Sequence, residues 1–298
     1  MGEIIGVLAA VLSSGLGGAA VGATRYIADA LDPLTIGSLR FGIGFLLLLP
    51  FSLFRSRRWP DRSDWIGVAG LGVLFFCVFP VLFNASLVFT TAARGALALS
   101  TLPLLTLLVG AALGQEALTG RKALGVSIAV SGVAIALISG LATAPDGAWI
   151  GDCLMVAAAL CMAFYNVWSR PFIRRSGPIP FTIAAMGVGT VCMIAISYFW
   201  GGFEGIGGLT AKQWSAIAYL GLFGGALVFY LWAFALSRTT PTRVAISVTV
   251  NPISASIFGA VVLQEPIGWN VIVGLVAVAV GIWLAATEVS VSYVGRCT

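Results

Sequence analysis

Hydroxyl, amide and aromatic side chains are the groups in this sequence that could do chemistry inside an apolar protein. Eleven of them lie within long apolar runs and form the candidate substrate-binding set: Ser13, Ser14, Asn84, Ser100, Thr101, Tyr165, Asn166, Trp168, Tyr230, Trp232 and Asn251. Hydroxyls and amides can hydrogen-bond an ammonium and a carboxylate together, while aromatic faces suit an apolar side chain. This mixture matches a neutral, zwitterionic amino acid.

The same residue types also join helix to helix in membranes, so a structural role is the alternative for each of them. Asn84, Trp168 and Tyr230 are the strongest binding candidates, because they are bulky or strongly polar near the middle of an apolar run. Arg40 lies about two turns into the second run. It could reach outward, bond a helix end or bind a substrate carboxylate, and the sequence favours a structural role.

Groups typical of catalysis or metal binding are scarce. The chain has no histidine, its five cysteines form no CxxC pair, and its eleven acidic residues fall at run ends or in loops. We therefore predict no catalytic residue, no metal site, no cofactor and no enzyme activity. Proton-coupled carriers commonly use an intramembrane titratable group, so this pattern favours facilitated diffusion or exchange. No Lys-Ser/Thr pair follows the Gly15–Gly18 stretch, which excludes a phosphate loop.

The elements that must position these side chains are membrane-spanning helices. The chain is 59% hydrophobic and 9% charged, whereas soluble domains are about 25% charged. Ten apolar runs are present, at 4–28, 34–54, 65–89, 95–113, 122–141, 150–170, 179–200, 213–236, 244–263 and 268–287. A transmembrane helix needs about 20 residues, so the sequence predicts an all-α integral membrane protein of ten helices.

The basic residues are distributed unevenly between the two sides of the membrane. With ten helices, twelve lysines and arginines fall on the side where the chain begins, three fall on the other side, and Arg40 lies within a run. The positive-inside rule then places both termini in the cytoplasm. Because these residues sit at run ends rather than on one helix face, the net charge of +5 does not indicate nucleic-acid binding.

An internal repeat divides the chain in two. A shift of 149 residues aligns 90–132 with 239–281 without a gap and matches eleven residues. The identical pairs include Thr90/Thr239, Thr91/Thr240, Arg94/Arg243, Pro103/Pro252, Gln115/Gln264, Glu116/Glu265, Gly125/Gly274 and Gly132/Gly281. Each half, 1–143 and 144–298, has five helices, an odd number, so the second half is inverted. Inverted repeats around a central cavity recur in secondary transporters.

Some matched residues of the repeat suggest specific structural roles. Pro103 and Pro252 lie mid-helix and should kink their helices, and they are candidate hinges. Gly132 and Gly281 each follow another matched glycine by seven residues, which indicates close helix packing. Arg94 and Arg243 begin the fourth and ninth helices, where we expect them to bond nearby carbonyls.

Several motifs resemble a known family. Thr90-Thr91-Ala-Ala-Arg94, Pro103 and Gly114-Gln115-Glu116 are similar to the EamA repeat of the drug/metabolite transporter superfamily, and the second half repeats them. Leu39-Arg40-Phe41 also fits. The overall likeness is greatest to YddG-type members, which export aromatic and other neutral amino acids. The resemblance implies a basket of ten helices around a central cavity, with the fifth and tenth helices peripheral.

The sequence therefore predicts a facilitative secondary transporter that exports small neutral amino acids, aromatic or otherwise apolar, or related metabolites by alternating access. A carrier of nucleosides, drugs or organic acids is the alternative, and a polytopic membrane enzyme or a channel is disfavoured. The expected location is a bacterial inner membrane. The expected partners are a small-molecule substrate and lipid, and the sequence is compatible with a monomer but leaves the oligomeric state open.

Overall fold

The part of the chain that the structure describes folds into ten helices that are long enough, or nearly long enough, to cross a membrane. The computed structural model describes residues 2–53, 59–115, 119–139, 144–265 and 267–286, in which every regular element is helical. The helices are α1 (Gly2–Ile27), α2 (Pro33–Leu53), α3 (Arg62–Phe89), α4 (Ala92–Ala112), α5 (Gly120–Ser139), α6 (Ala148–Ser176), α7 (Pro178–Phe199), α8 (Ala211–Arg238), α9 (Pro241–Leu263) and α10 (Trp269–Ala286).

All of these helices except α5 and α10 meet both a length and a hydropathy criterion for crossing a membrane. Helices α5 and α10 have 20 and 18 residues and pack along each other, near the roughly 20 residues that a bilayer requires. The chain is a multi-pass membrane protein, as its composition predicts. We call the side where α1 begins side A and the opposite side side B.

Helices α5 and α10 pack so closely that some positions admit only glycine. A Cβ atom on Gly132 would lie 2.1 Å from the Cβ of Ala277, and one on Gly274 would lie 2.8 Å from the Cβ of Ala136. Close packing confirms the prediction for Gly132 and Gly274, while the surroundings of Gly281 lie outside what the structure describes.

Both third helices of the repeat contain a π-helical segment. Leu74–Val78 is π-helical in α3, and Leu220–Leu227 is π-helical in α8. The α-helical stretches that follow begin at Phe79 and Val228, which are 149 residues apart. A π turn widens the helix and leaves carbonyls available for other donors. Proline removes a donor just after the first segment, at Pro80.

The fourth and ninth helices are interrupted ahead of their matched prolines. In α4 the α-helix breaks at Ser100–Thr101, and in α9 the residues Ser247–Thr249 form a 3₁₀ turn. Pro103 and Pro252 follow within three residues. Proline lacks an N–H and clashes with the carbonyl four residues earlier, which accounts for both interruptions. The irregularity predicted at each proline is present, and the hinge role stays a prediction.

Helices α3 and α7 approach each other through glycine. A Cβ atom on Gly72 would lie 2.4 Å from the carbonyl oxygen of Ala185, and one on Gly189 would lie 2.3 Å from the carbonyl oxygen of Gly72. Gly70, two residues earlier on α3, has no neighbour within 4 Å of a Cβ position. The α3–α7 contact therefore depends on the absence of a side chain at two positions.

Candidate substrate cavity

A small cavity with a volume of about 40 Å³ lies between the two halves of the chain. Helices α1, α2, α3 and α4 line it from the first half, and α6, α8 and α9 line it from the second half. The lining residues are Ser13, Ser14, Gly17, Val21, Arg40, Phe79, Phe83, Leu99, Met162, Val228, Phe229, Trp232, Val248 and Asn251. The wall is thus mostly apolar and aromatic, with a few polar groups, as is usual for small-molecule sites.

Four of the predicted binding residues line this cavity. Ser13 donates a hydrogen bond to the carbonyl of Val228 (2.8 Å), and the hydroxyls of Ser14 and Ser247 are 2.8 Å apart. Asn251 is buried, and its Oδ1 accepts no hydrogen bond from the residues that the structure describes. An unpaired buried amide oxygen costs free energy, so this atom is available for a donor on a ligand.

Trp232, the fourth of these residues, is held by a second predicted residue behind it. Its Nε1 donates to Oδ1 of Asn166 over 2.8 Å, and Nδ2 of Asn166 lies 3.5 Å from the hydroxyl of Thr106. All three side chains are buried. Asn166 therefore fixes the orientation of the indole ring and is not among the residues that line the cavity.

Three other predicted polar residues bond to backbone and do not line the cavity. Nδ2 of Asn84 donates to the carbonyl of Pro33 (2.9 Å) at the start of α2. The hydroxyls of Ser100 and Thr101 donate to carbonyls three or four residues earlier, where α4 is interrupted. In this structure these residues stabilise helix ends and the break in α4.

The remaining three predicted residues are aromatic and lie outside the cavity wall. Tyr165 is buried and stacks on Phe75 with ring centroids 3.8 Å apart. Trp168 is 42% exposed on the outer surface of the bundle, and Tyr230 packs against Phe234. Of the three strongest sequence candidates, Asn84, Trp168 and Tyr230, none reaches the cavity described here.

Arg40 is a cavity residue for which the sequence favoured a structural role. Its side chain is 4% exposed. Nε and Nη2 donate to the carbonyl of Gly224, over 3.2 and 2.9 Å, within the π-helical segment of α8. The guanidinium carbon lies 5.2 to 5.8 Å from the ring centroids of Phe41, Phe83 and Phe229. The sequence signal for Arg40 was its position. It is a charged residue within an apolar run, and it belongs to the Leu39-Arg40-Phe41 stretch that fits the family pattern.

No carboxylate accompanies Arg40 in the cavity wall, as far as the described residues extend. A carbonyl and three aromatic rings carry only partial negative charge. A buried charge is ordinarily paired. The cavity is therefore electropositive and has an excess of donors near Arg40.

On side B, a buried ion pair joins the two halves. Nη2 of Arg94, at the start of α4, lies 2.5 Å from Oδ2 of Asp152, at the start of α6. Asp152 also accepts from Thr90 (3.4 Å), and Nη1 of Arg94 donates to the carbonyl of Leu137 (3.1 Å). The two charged side chains are 5% and 12% exposed.

Side A carries a matching ion pair in a different environment. Arg243, at the start of α9, binds Glu3, near the start of α1. Glu3 also accepts from the hydroxyl of Thr239 over 3.3 Å. These side chains are 46% and 53% exposed. The carbonyl partner predicted for Arg94 is present, but each arginine also binds a carboxylate that the sequence did not assign to it.

The missed signal was the extent of the repeat. The same 149-residue shift also relates Gly2-Glu3 to Gly151-Asp152, outside the segment aligned first. Glu3 and Asp152 both carry a carboxylate, but they are different residue types. A match of two residues is also too short to reveal a repeat.

A further acidic residue of side B joins the second half to the first. Oε2 of Glu265, just beyond α9, accepts from the backbone N–H of Ala92 at the start of α4 (3.2 Å). Its Oε1 lies 3.8 Å from Arg25, which also bonds Asp29. Burial raises the pKa of the Glu265 carboxyl above its usual value, although the Ala92 N–H and Arg25 act in the opposite direction.

Comparison with known families identifies the repeat. A model described as the EamA-like transporter family matches residues 2–138 and 149–287. An uncharacterised transporter, YyaM, of Bacillus subtilis (strain 168) is 24% identical over 90% of this chain and 89% of its own length. An uncharacterised transporter of Archaeoglobus fulgidus is 24% identical over 91% of this chain and 95% of its own.

A plant protein and a solved structure are also similar to this chain. A chloroplastic WAT1-related protein of Arabidopsis thaliana is 24% identical over 90% of this chain and 66% of its own length. A protein crystal structure of 21% sequence identity superposes with a TM-score of 0.70 and covers 96% of this chain and 98% of that chain. This chain and the protein of that crystal structure therefore share a fold along nearly their whole lengths.

Proposed function

Because the chain belongs to the EamA-like transporter family, we propose that it exports small neutral amino acids, aromatic or otherwise apolar, or related metabolites by alternating access. The observation that carries the proposal is the cavity between the two halves, lined by α1 to α4 on one side and by α6, α8 and α9 on the other. A site shared by inverted halves can be opened to either side as they exchange conformations.

The cavity chemistry supports a neutral amino acid as the substrate. Phe79, Phe83, Phe229 and Trp232 offer aromatic surface, while Asn251 offers an unpaired amide oxygen that can accept from an ammonium. The resemblance to YddG-type exporters agrees with this choice. A facilitative mechanism fits because none of the described lining residues has a carboxylate that could relay protons.

The proposed location is a bacterial inner membrane with both termini in the cytoplasm. The excess of lysine and arginine on side A supports this orientation, because cytoplasmic loops are enriched in both residues. Side B would then face outward. Attachment of an impermeant thiol reagent to a cysteine introduced at exposed Asp29, in intact cells, tests the orientation.

Uptake of labelled phenylalanine, tryptophan, methionine and threonine into proteoliposomes, with and without a pH gradient, tests the function. We expect the uptake rate to saturate as substrate concentration rises and to be the same with and without the pH gradient. Gly17→Phe, which fills the cavity beside Asn251, should abolish uptake, while Gly70→Phe, where no neighbour lies within 4 Å of a Cβ, should preserve it. Absence of uptake of all four compounds by the wild type would refute the amino-acid assignment and leave nucleosides, drugs or organic acids as candidates.

A further inference from the structure

Arg40 is a buried cation with unused hydrogen-bond donors at the cavity. Arginine has five N–H donors, and the bonds from Nε and Nη2 to the Gly224 carbonyl use two of them. The remaining three include both hydrogens of Nη1, which donates to none of the residues that the structure describes. The free edge of the guanidinium, formed by Nη1 and Nη2, is the edge that binds a carboxylate with two parallel hydrogen bonds.

The surroundings hold this guanidinium in a fixed place. Its partner carbonyl, that of Gly224, belongs to the π-helical segment of α8. A Cβ on Gly224 would be in van der Waals contact with Nε (3.4 Å) and Nη2 (3.5 Å), so the guanidinium lies directly against this residue. Phe83 and Phe229 contact the guanidinium and also line the cavity. The binding edge is thus preorganised before a ligand arrives.

We propose that Arg40 is the carboxylate-binding residue of the cavity and that substrates of this transporter must carry a carboxylate. This inference rests on the proposed function, from which it takes an amino acid as the substrate. What it adds is the residue that binds the carboxylate of that substrate. The aromatic wall then contacts the apolar remainder of the substrate. Gly224 acts as a positioning residue, because its carbonyl aligns the guanidinium without touching the ligand.

Competition against labelled phenylalanine in proteoliposomes tests the assignment in the wild type. The competitors are 3-phenylpropanoate, which has only the carboxylate, and phenethylamine, which has only the ammonium. We expect 3-phenylpropanoate to compete about tenfold or more strongly than phenethylamine, since a hydrogen bond to a charged group is worth about that factor or more. Equal or stronger competition by phenethylamine would overturn the assignment.

Variants separate the role of Arg40 in binding from its role in folding. Arg40→Gln should weaken phenylalanine binding about tenfold or more and abolish the preference between the two competitors. Arg40→Lys should retain part of the preference, because it keeps the charge but not the bidentate edge. Arg62→Gln, at an exposed position of α3, is the control and should change neither. A folded Arg40→Gln protein with wild-type selectivity would refute the proposal.

Ligand-induced stabilisation of the purified wild type keeps the test independent of any variant. A ligand that binds only the folded state raises the unfolding temperature, so 3-phenylpropanoate should raise it more than phenethylamine at equal concentration. A wild type that is stabilised by 3-phenylpropanoate but transports no amino acid would refute the proposed function and support the role of Arg40. Greater stabilisation by phenethylamine would refute the role of Arg40 whatever is transported.

The two ion pairs between the halves carry a separate proposal. Asp152–Arg94 on side B and Glu3–Arg243 on side A occupy repeat-related positions, and each acid also accepts from a matched threonine, Thr90 or Thr239. Each pair joins the first helix of one half to the fourth helix of the other. One pair is buried and the other is about half exposed, so the same contact is present in two environments.

We infer that these pairs are alternating latches, with the side B latch buried in this structure and the side A latch exposed. Exchange of conformations between inverted halves would exchange the environments of the pairs. Removal of one ion pair therefore shifts the equilibrium between the two conformations. The size of the shift equals the difference between the free energies that this ion pair contributes in the two conformations.

Hydrogen-exchange mass spectrometry of the full chain tests reciprocity. Arg243→Gln removes the exposed latch and should raise exchange in 2–10 and 239–247 while lowering it in 90–99 and 148–155. Arg94→Gln should produce the opposite pattern, and the Arg62→Gln control should produce neither. If Arg94→Gln fails to fold, Arg243→Gln still decides the question, because it alters an exposed pair. Exchange that rises on the mutated side and is unchanged on the other would refute the latch proposal.

Discussion

Glu3 and Asp152 are 149 residues apart, and each carboxylate binds the arginine that begins the fourth helix of the opposite half. The two arginines, Arg94 and Arg243, are related by the same shift. Because the second half is inverted, the two pairs lie on opposite sides of the membrane. Both pairs join a carboxylate to an arginine, but one pair is buried and the other is about half exposed. The two sides of the molecule can therefore be compared by measurements at matched residues.

This difference predicts unequal costs for the same kind of substitution. Asp152→Asn leaves Arg94 buried without its counter-charge and should destabilise the protein by about 3–5 kcal/mol. Glu3→Gln breaks a half-exposed pair and should cost about 1 kcal/mol or less. Thermal unfolding in detergent measures both, and equal losses would contradict the assigned burial.

The contact between α3 and α7 predicts a large effect from one added methyl group. Gly72→Ala places a Cβ against the carbonyl oxygen of Ala185, and overpacking of this kind costs about 1–3 kcal/mol. The matched control is Gly70→Ala, where the space is open and alanine favours the helix by up to about 1 kcal/mol. Thermal unfolding should rank Gly70→Ala at or above the wild type and Gly72→Ala below both; the reverse order would show that the two helices do not meet there.

The matched prolines predict an effect on transport rate. Pro103→Ala and Pro252→Ala each restore an N–H and remove a clash with the preceding turn, so each should straighten its helix and slow the exchange of conformations several-fold. Initial rates of substrate counterflow measure this effect, with unfolding temperature as the check on folding. Wild-type rates in both folded variants would contradict the hinge role.

Glu265 predicts a pH-dependent difference from its amide variant. The raised pKa in the folded state means that the folded protein holds a proton here more tightly than the unfolded chain does. Its contribution is therefore most favourable below the usual value of 4.5 and is lost as pH rises through the raised pKa. Glu265→Gln keeps an acceptor for the N–H of Ala92 and carries no charge.

Relative to the wild type, Glu265→Gln should therefore gain stability as pH rises from 4 to 8, and the two proteins should converge at the acidic end. Unfolding temperatures measured across this range check the sign. A variant that is less stable than the wild type at pH 8 would show that the attraction between Glu265 and Arg25 outweighs the cost of burying the carboxylate.

The features that depend on local pattern were predictable from the sequence. Ten apolar runs predict the helices, Pro103 and Pro252 predict the interruptions, and Gly132 and Gly274 predict the close approach of α5 and α10. Each of these follows from length, backbone chemistry or the size of one side chain. The repeat also predicts that the second half is inverted. Each half crosses the membrane five times, an odd number, so the second half starts from the opposite side.

The cavity wall was less predictable, because it depends on which face of each helix turns inward. Trp168 and Trp232 are both aromatic residues in apolar helices, yet one faces outward and the other lines the cavity. A helix that is apolar all round gives no moment to distinguish its faces. The contact of Arg40 with Gly224 joins residues 184 positions apart and depends on a π-helical segment that no local pattern indicated.

The matched π-helical segments also bear on the origin of the chain. A π turn contains an additional residue relative to an α-helix. The π-helical segments of α3 and α8 end at equivalent places, whereas the π-helical Gly259–Leu263 of α9 has no counterpart in α4. The shared segment in the third helices is what duplication of one five-helix unit would leave. The two halves now differ in sequence so far that Arg40 corresponds to Gly189, yet the α-helix resumes after each segment at the same spacing of 149 residues.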